Sequence, residues 1–502
     1  MSLDGLVGGN GHDDRLRADV APADWVWPSP APRYNLVVIG GGPAGLVAAF
    51  GAAGVGARVA LVERGMLGGD CLNTGCIPSK ALIRVGRAAH AARDGERFGV
   101  AAENVSVDFT TAMERMRKTR ADIGPHDSAA RLAAAGVDVF LGSAEFASRN
   151  SVTVSGTEGR TATLRFSKAL IATGARAFVP PIPGLPDVGV RTNETIFALQ
   201  DLPERLTVVG AGVIGCELAQ TFSRMGSAVT LLDMGARVLQ REEPDASALV
   251  AQQLRADGVD VRLGVAIERF ERSDQGRVAV LTDGTRVVGD EILLSVGRRP
   301  NVDLGLDAAG VAHTAQGVTV DRQLRTSNPD VFAAGDVIGR AGFTHAADHH
   351  ARLALRNALF FGTSDVDDLV IPRVTYTHPE VAAVGLTGPE AEALPGIRAF
   401  TVPMSETDRG RTDGDAAGYC RVYADRKGII KGATIVGELA GELLAPVTLA
   451  MTHGITLVQI ASTVHPYPTR SEVVFKVASA YNKTRFTPMA QKLSRKLMDW
   501  RR

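Results

Sequence analysis

Two of the chain's four cysteines, Cys71 and Cys76, stand five positions apart in the stretch GGDCLNTGCIPSK. Two thiols that close can store an electron pair as a dithiol and release it as a disulfide, with the thiolate as the attacking form. On one regular helix, residues five apart rise about 7.5 Å and point to different sides. A disulfide holds its Cα atoms about 4.4–6.8 Å apart. The segment must therefore leave regular helix between the thiols, and Gly75 permits that. Pro78 suits the first turn of a helix starting here. The positive end of that helix favours a thiolate at Cys76. Cys216 and Cys420 have no such setting and read as packing residues.

The pair follows directly on a dinucleotide-binding pattern. YNLVVIGGGPAGLVAA is an apolar strand, then Gly40, Gly42 and Gly45 in GxGxxG spacing, then a helix of small residues. RVALVE is the next strand and ends on Glu63. In such a unit the first glycine permits the turn, and the second admits a pyrophosphate to the helix N-terminus. The third lets helix and strand pack, and the acid accepts from ribose hydroxyls. LTVVGAGVIGCELAQTF repeats the pattern with Gly210, Gly212 and Gly215, and AVTLLD ends on Asp233. First glycine to terminal acid is 23 residues in both copies. Two copies mean two dinucleotides, and a protein holding two passes a hydride between them, the usual pair being a flavin and a nicotinamide. Three further strands run into glycine turns: LIATGA with Thr173 and Gly174, EILLSVGRRPN with Gly297, and VFAAGDV with Asp336. These residues join the expected cofactor-binding set.

Composition sets the frame. The 502 residues suggest about three domains. Fifty-five Lys plus Arg balance 55 Asp plus Glu, which gives no overall drive toward nucleic acid or membrane. Four cysteines are too few for a disulfide scaffold, and no secretory signal is visible, so the expected location is cytoplasmic. Leu36–Ala57 is 22 residues without a charge, long enough to span a bilayer. Its crowded glycines fit strand–turn–helix better. His345, His349 and His350 read as polar residues of a helix, with no third ligand signalled, so no metal site is expected.

GGDCLNTGCIPSK, with the two fingerprints in this order, resembles the class I pyridine nucleotide-disulfide oxidoreductases, a family that includes dihydrolipoyl dehydrogenase, glutathione reductase and mercuric reductase. The resemblance runs from about Tyr34 to about Lys476. It implies an α/β fold with two Rossmann-like domains, for FAD and NAD(P), and a C-terminal α+β dimerisation domain. The expected boundaries are an N-terminal extension over 1–33, FAD-binding segments over 34–186 and 300–366, and a nicotinamide domain over 187–299. A dimerisation domain follows over 367–480, with a basic tail over 481–502. The resemblance also implies a homodimer whose active site is shared across the interface. By it, Cys71 meets the acceptor and Cys76 lies against the flavin. Lys80 sits near the flavin and pairs with Glu217. Asp336 touches the FAD ribityl-phosphate region, and Thr344–Ala346 cap the flavin. Reducing equivalents run from NAD(P)H to FAD, to the disulfide, to a small-molecule or metal-ion acceptor.

The C-terminal signature departs from the disulfide reductases. They carry His-Pro-Thr-x-x-Glu, with His as acid and base. Here HPYPTRSE keeps Pro468, Thr469 and Glu472 but has Tyr467 in the histidine's place. A tyrosine titrates near about 10 and is a poor proton acceptor at neutral pH. His465, two residues earlier, is a second candidate. Mercuric reductases resemble the chain here, for they too place Tyr at this point, and REEPD is similar to their REDP. The sequence shows neither their terminal vicinal cysteine pair nor the Cys-x-x-Cys domain with which many of them begin, so a relative without those metal-delivery thiols is expected. The expected activity is mercuric-reductase-like, preferring NADH because Asp233 repels a 2′-phosphate. The alternatives are dihydrolipoyl dehydrogenase and a flavin redox sensor with little turnover. In the tail, Met489, Leu493, Leu497 and Trp500 make one helical face, and Lys492, Arg495, Lys496, Arg501 and Arg502 surround it. Such a helix lies on its own domain or the dimer, or meets an anionic membrane or an acidic partner.

Overall fold

The fold is seen in a computed structural model, which describes residues 11–340, 342–360 and 362–502. The first ten residues of the expected N-terminal extension lie outside these. The chain packs as two units, 1–234 with 257–369, and 235–256 with 370–502.

The first unit holds two copies of one plan. In the first, strands Val137–Leu141, Val59–Glu63, Tyr34–Ile39 and Thr161–Ile171 lie in that order, all parallel. Val331–Ala333 adds to the far side of Thr161–Ile171. Helices cover such a sheet, so its strands read as unbroken apolar runs. Val37, Val38, Ala60 and Leu61 are all fully buried. Ser143–Ser148 and Ser151–Ser155 extend the other half of Thr161–Ile171 as an antiparallel meander. The second copy has parallel strands Asp260–Leu263, Ala228–Asp233, Arg205–Val209 and Glu291–Leu294. Its meander is Ile267–Ser273, Gly276–Leu281 and Arg286–Gly289. The uncharged run from Leu36 is thus the strand Tyr34–Ile39 and the helix Pro43–Gly54. Among the described residues no helix is long and apolar enough to cross a membrane.

Before the first strand, helix Gly11–Val20 buries Asp13, Leu16 and Val20 against this unit. Leu16 and Val20 belong to the core that contains Leu61 and Val139.

The second unit is a five-stranded antiparallel sheet in the order Arg373–Thr375, Glu380–Gly385, Ile430–Gly437, Tyr419–Ala424, Arg398–Pro403. Helices Ala440–His453 and Glu472–Arg485 cover it with Leu444, Val447, Val473 and Val477. The segment 235–256 belongs to this unit through Glu243, which is buried. Its carboxylate accepts from Tyr419 (3.0 Å), Tyr423 (2.7 Å), Thr434 (2.9 Å) and Arg421. The tail forms helix Pro488–Trp500, capped by Thr487. None of its residues is buried.

Candidate functional site

The two glycine turns share the same local features. Gly40 and Gly210 have φ of +107° and +104°, a region closed to ordinary side chains. A Cβ on Gly45 or Gly215 would stand 1.8 Å from the carbonyl oxygen of the first glycine, so each helix packs on its turn only without one. Gly42 and Gly212 face open space instead, with nothing closer than 3.7 Å at Gly42 and nothing within 4 Å at Gly212. The helices beyond, Pro43–Gly54 and Val213–Met225, have no side-chain cap, so their first N–H groups are available to an anion. Glu63 Oε2 accepts from Gly41 N at 2.6 Å, and Asp233 Oδ2 accepts from Ala211 N at 2.6 Å. Each acid thus ties its strand end to the turn. Burial raises the Glu63 carboxyl from its ordinary range, opposed by its two backbone donors. An open second glycine, uncapped amides and a terminal acid are the features that fit a dinucleotide.

The thiol segment breaks as its spacing requires. Cys71 lies in helix Gly69–Asn73, Thr74 and Gly75 interrupt it, and Cys76 starts helix Cys76–Arg93. At Gly75 a Cβ would meet the Asp70 carbonyl oxygen at 2.8 Å, so the break leaves no room for a side chain. Local bonds and one from Asn193 help hold the turn. Asn73 Nδ2 donates to Leu67 O (3.0 Å) and Gly69 O (2.8 Å), Thr74 N to Asp70 O (2.9 Å), and Asn193 Nδ2 to Thr74 O (3.4 Å).

The two thiols share a hydrogen bond, and their acidities separate. That bond lowers the Cys76 thiol to about 6, against the opposing effect of burial, with Thr344 and the Lys80 charge also lowering it. The same bond, with burial, pushes Cys71 well above the ordinary thiol range. Cys76 Sγ lies 3.3 Å from Thr344 Oγ1. Lys80 Nζ lies 3.0 Å from Glu217 Oε2, and Glu217 is buried. Cys71, Cys76, Lys80, Glu217 and Thr344 therefore form one constellation.

A second cluster adjoins the turn. Arg298 pairs with Asp70, donates to the Ala175 carbonyl, and has Asp336 Oδ2 at 3.6 Å. Burial raises the Asp336 carboxyl, with Arg298 opposing. Thr173 Oγ1 donates to Asn301 O (2.7 Å), and Gly174 and Gly297 have positive φ with nothing within 4 Å of a built Cβ. Sequence reasoning passed over Asp70 and Arg298, because 228 residues separate them.

In the second unit Tyr467 is 72% exposed and donates to Asp408 Oδ2 at 3.1 Å. Asp408 raises the phenol further above its ordinary value. Glu472 accepts from Asp408 N (3.2 Å) and pairs with Lys476 (3.0 Å). His465 is not in this group: Nε2 lies 3.3 Å from Ile460 O, and its ring rests on Phe475. Cys216 is buried with its thiol 3.3 Å from Ala211 O, and burial pushes Cys420 up to about 12. Helix Thr344–Leu359 carries His345, which stacks on Phe343, and His350, which burial holds down at about 4. No group of three or more His, Cys, Asp or Glu among the described residues is arranged to hold a metal ion.

Comparison with known proteins gives consistent matches. The family model described as pyridine nucleotide-disulphide oxidoreductase matches residues 34–351, and its dimerisation domain matches 371–478. A mercuric reductase of Streptomyces lividans is 36% identical over 456 residues, 89% of this chain and 96% of that one. A dihydrolipoyl dehydrogenase of Bacillus subtilis is 35% identical over 454 residues, 88% of this chain and 95% of that one. Among solved structures, the HOCl-induced flavoprotein disulfide reductase RclA from Escherichia coli has TM-score 0.80 at 29% identity, and its Cu(II) complex has the same values. Both cover 89% of this chain and 99% of the other.

Proposed function

The chain belongs to the FAD-dependent pyridine nucleotide-disulphide oxidoreductases, and from that premise we propose that it reduces a thiophilic metal ion or similar electrophile through Cys71 and Cys76. Family members use FAD and NAD(P)H, and the dimerisation domain implies a homodimer. Similarity alone does not choose the acceptor, since mercuric reductases and dihydrolipoyl dehydrogenases match about equally well.

The observation that carries the reading is the contrast between the two ends of the machinery. The thiol pair is tuned, with an anionic Cys76 beside a neutral Cys71. The position that would exchange protons with a dithiol substrate holds an exposed tyrosine bonded to a carboxylate. A phenol whose titration is raised is a weak base near neutral pH. Metal-ion reduction needs ligands and electrons more than a base.

Gly40, Gly42, Gly45 and Glu63, with Thr173, Gly174 and Asp336, would hold FAD. Gly210, Gly212, Gly215, Asp233 and Gly297 would hold the nicotinamide nucleotide. FAD, when bound, accepts a hydride and hands on an electron pair. The chain's own residues do the rest. One electron pair and one proton open the Cys71–Cys76 disulfide to a Cys71 thiol and a Cys76 thiolate. Cys76 keeps the anion, supported by the Thr344 hydroxyl and the Lys80 ammonium. Cys71 loses its proton as it binds the acceptor; the two sulfurs then give up their electron pair to the acceptor, which is reduced by two electrons, and close again as the disulfide. Tyr467, Asp408 and Glu472 complete the site from the partner subunit.

Anaerobic titration with NADH, followed by Hg²⁺, Cu²⁺, a quinone, lipoamide and glutathione disulfide, tests this. Cu²⁺ belongs in the panel because RclA is known as a Cu(II) complex. Fast reoxidation by a metal ion and slow reoxidation by lipoamide is the expected result. The reverse order makes the protein a dihydrolipoyl dehydrogenase.

For helix Pro488–Trp500 we propose contact with an anionic membrane surface. Met489, Leu493 and Trp500 are 83%, 71% and 82% exposed. Five flanking cations face one acid, Asp499.

A further inference from the structure

We propose that Arg120, set by Asp13 of the N-terminal helix, is a positioning residue for the turn that carries Cys71 and Cys76. The inference rests on the reading of those cysteines as the redox pair.

Asn73 ends the helix that holds Cys71, and its carbonyl is one of the last four that a helix cannot satisfy from within. Arg120 Nη1 donates to that carbonyl at 2.8 Å, and Nη2 donates to Asp13 Oδ1 at 2.9 Å. Arg120 is 1% exposed and Asp13 is fully buried. Arg117 Nε stands 3.6 Å from the other Asp13 oxygen, and its Nη2 is held by the Leu199 carbonyl at 3.1 Å. A second tie runs beside the first, from Leu67 N to Val20 O at 3.0 Å. The N-terminal helix thus grips the turn at both ends, before the thiols and between them.

Stability alone does not call for this arrangement. Burying two guanidinium groups on one carboxylate is expensive, and well-packed apolar side chains of similar volume are often as stable or more so. Burial lowers the Arg120 titration, which is the signature of that cost. An apolar side chain, however, has no donor for the Asn73 carbonyl. That carbonyl fixes where the first short helix stops. The stop sets where Cys71 stands relative to Cys76, the neighbour that acts most on its acidity.

The test uses the reduced holoenzyme and follows the Cys76 thiolate by its long-wavelength absorbance against pH. It also follows the dithiol–disulfide equilibrium against dithiothreitol. Wild type should titrate near about 6. Arg120→Met leaves Arg117 beside Asp13. It should move the midpoint up by about one unit and shift the dithiothreitol equilibrium by about tenfold. Arg120→Lys, which keeps the charge and a donor, should fall between, and Asp13→Asn should move the midpoint the same way as Arg120→Met. If Arg120→Met does not fold, the lysine and asparagine variants carry the same readout. Variants that titrate like wild type, with only melting temperature or FAD content changed, overturn the proposal alone. A wild type with no thiolate titration overturns it together with the redox-pair reading.

Discussion

Lys80 Nζ stands 3.0 Å from Glu217 Oε2 and joins the helix that begins at Cys76 to the helix that follows the second glycine turn. The two charges act on Cys76 with opposite signs, Lys80 lowering its titration and Glu217 raising it. Lys80→Met should therefore raise the thiolate midpoint by about one unit, and Glu217→Gln should not raise it. A pH titration of the long-wavelength absorbance in the reduced protein reads both. Equal upward shifts would mean that the pair acts only as a strut.

Cys76 itself gives the sharpest spectral outcome. Its thiol is lowered, so the anion is complete at about pH 8 and is lost as pH falls through about 6. Cys76→Ser should abolish the long-wavelength band at every pH while FAD stays bound. Cys71→Ala, which removes the donor, should keep a band but shift its midpoint upward, because the hydrogen bond from Cys71 is the largest cause of the lowering. A band that survives in Cys76→Ser exchanges the roles of the two thiols.

Tyr467 lends itself to a gain of function. Tyr467→His supplies a base of ordinary titration range where the phenol is now held by Asp408. General-base assistance is worth about 10²–10⁴ in rate. Lipoamide-dependent turnover should rise by at least about tenfold, with metal-ion reduction unchanged. His465→Ala should alter neither, since its ring is engaged by Ile460 and Phe475. A large loss in His465→Ala moves the proton acceptor to His465.

The nicotinamide preference follows from Asp233. Its carboxylate ends the second fingerprint strand, and a 2′-phosphate there would meet like charge. The Arg237 guanidinium is spent on the carbonyls of Gln240 (3.3 Å) and Glu242 (3.4 Å). NADH should exceed NADPH in kcat/KM by at least about tenfold, an energy difference of about 1.4 kcal/mol. Parity in steady-state assays removes the argument.

Truncation after Thr487 separates the two roles open to the terminal helix. The expected result is loss of binding to phosphatidylserine vesicles at low salt, with FAD content and NADH oxidation intact. Loss of the dimer in a sedimentation experiment, with no vesicle binding in the full chain, makes the helix a subunit contact instead.

The cofactor turns were legible because each is a local pattern, a strand, then three glycines, then an acid 23 residues past the first glycine. The broken helix at Gly75 was legible for the same reason: four residues between thiols admit few geometries. What stayed hidden joins distant segments. Thr344 reaches Cys76 across 268 residues, and Arg120 reaches Asp13 across 107. Nothing in the neighbours of an arginine on an amphipathic helix says that it will be buried. The helix Phe109–Ile123 carries several basic residues, and only the packing of Gly11–Val20 selects the two that turn inward.

The Glu243 carboxylate has a history as well as a place. Its donors Tyr419, Tyr423 and Thr434 lie 176–191 residues further along the chain. At about 5–20 residues per second of synthesis, the glutamate waits on the order of ten to forty seconds for them. Until then it is a hydrated charge on an unfinished segment, and the neighbouring strands of the first unit close around a gap in the sequence. The second unit is thus assembled last, from a piece made early and a piece made late. A ribosome stalled before Tyr419 should display a folded nucleotide-binding unit with residues 235–256 still open to protease.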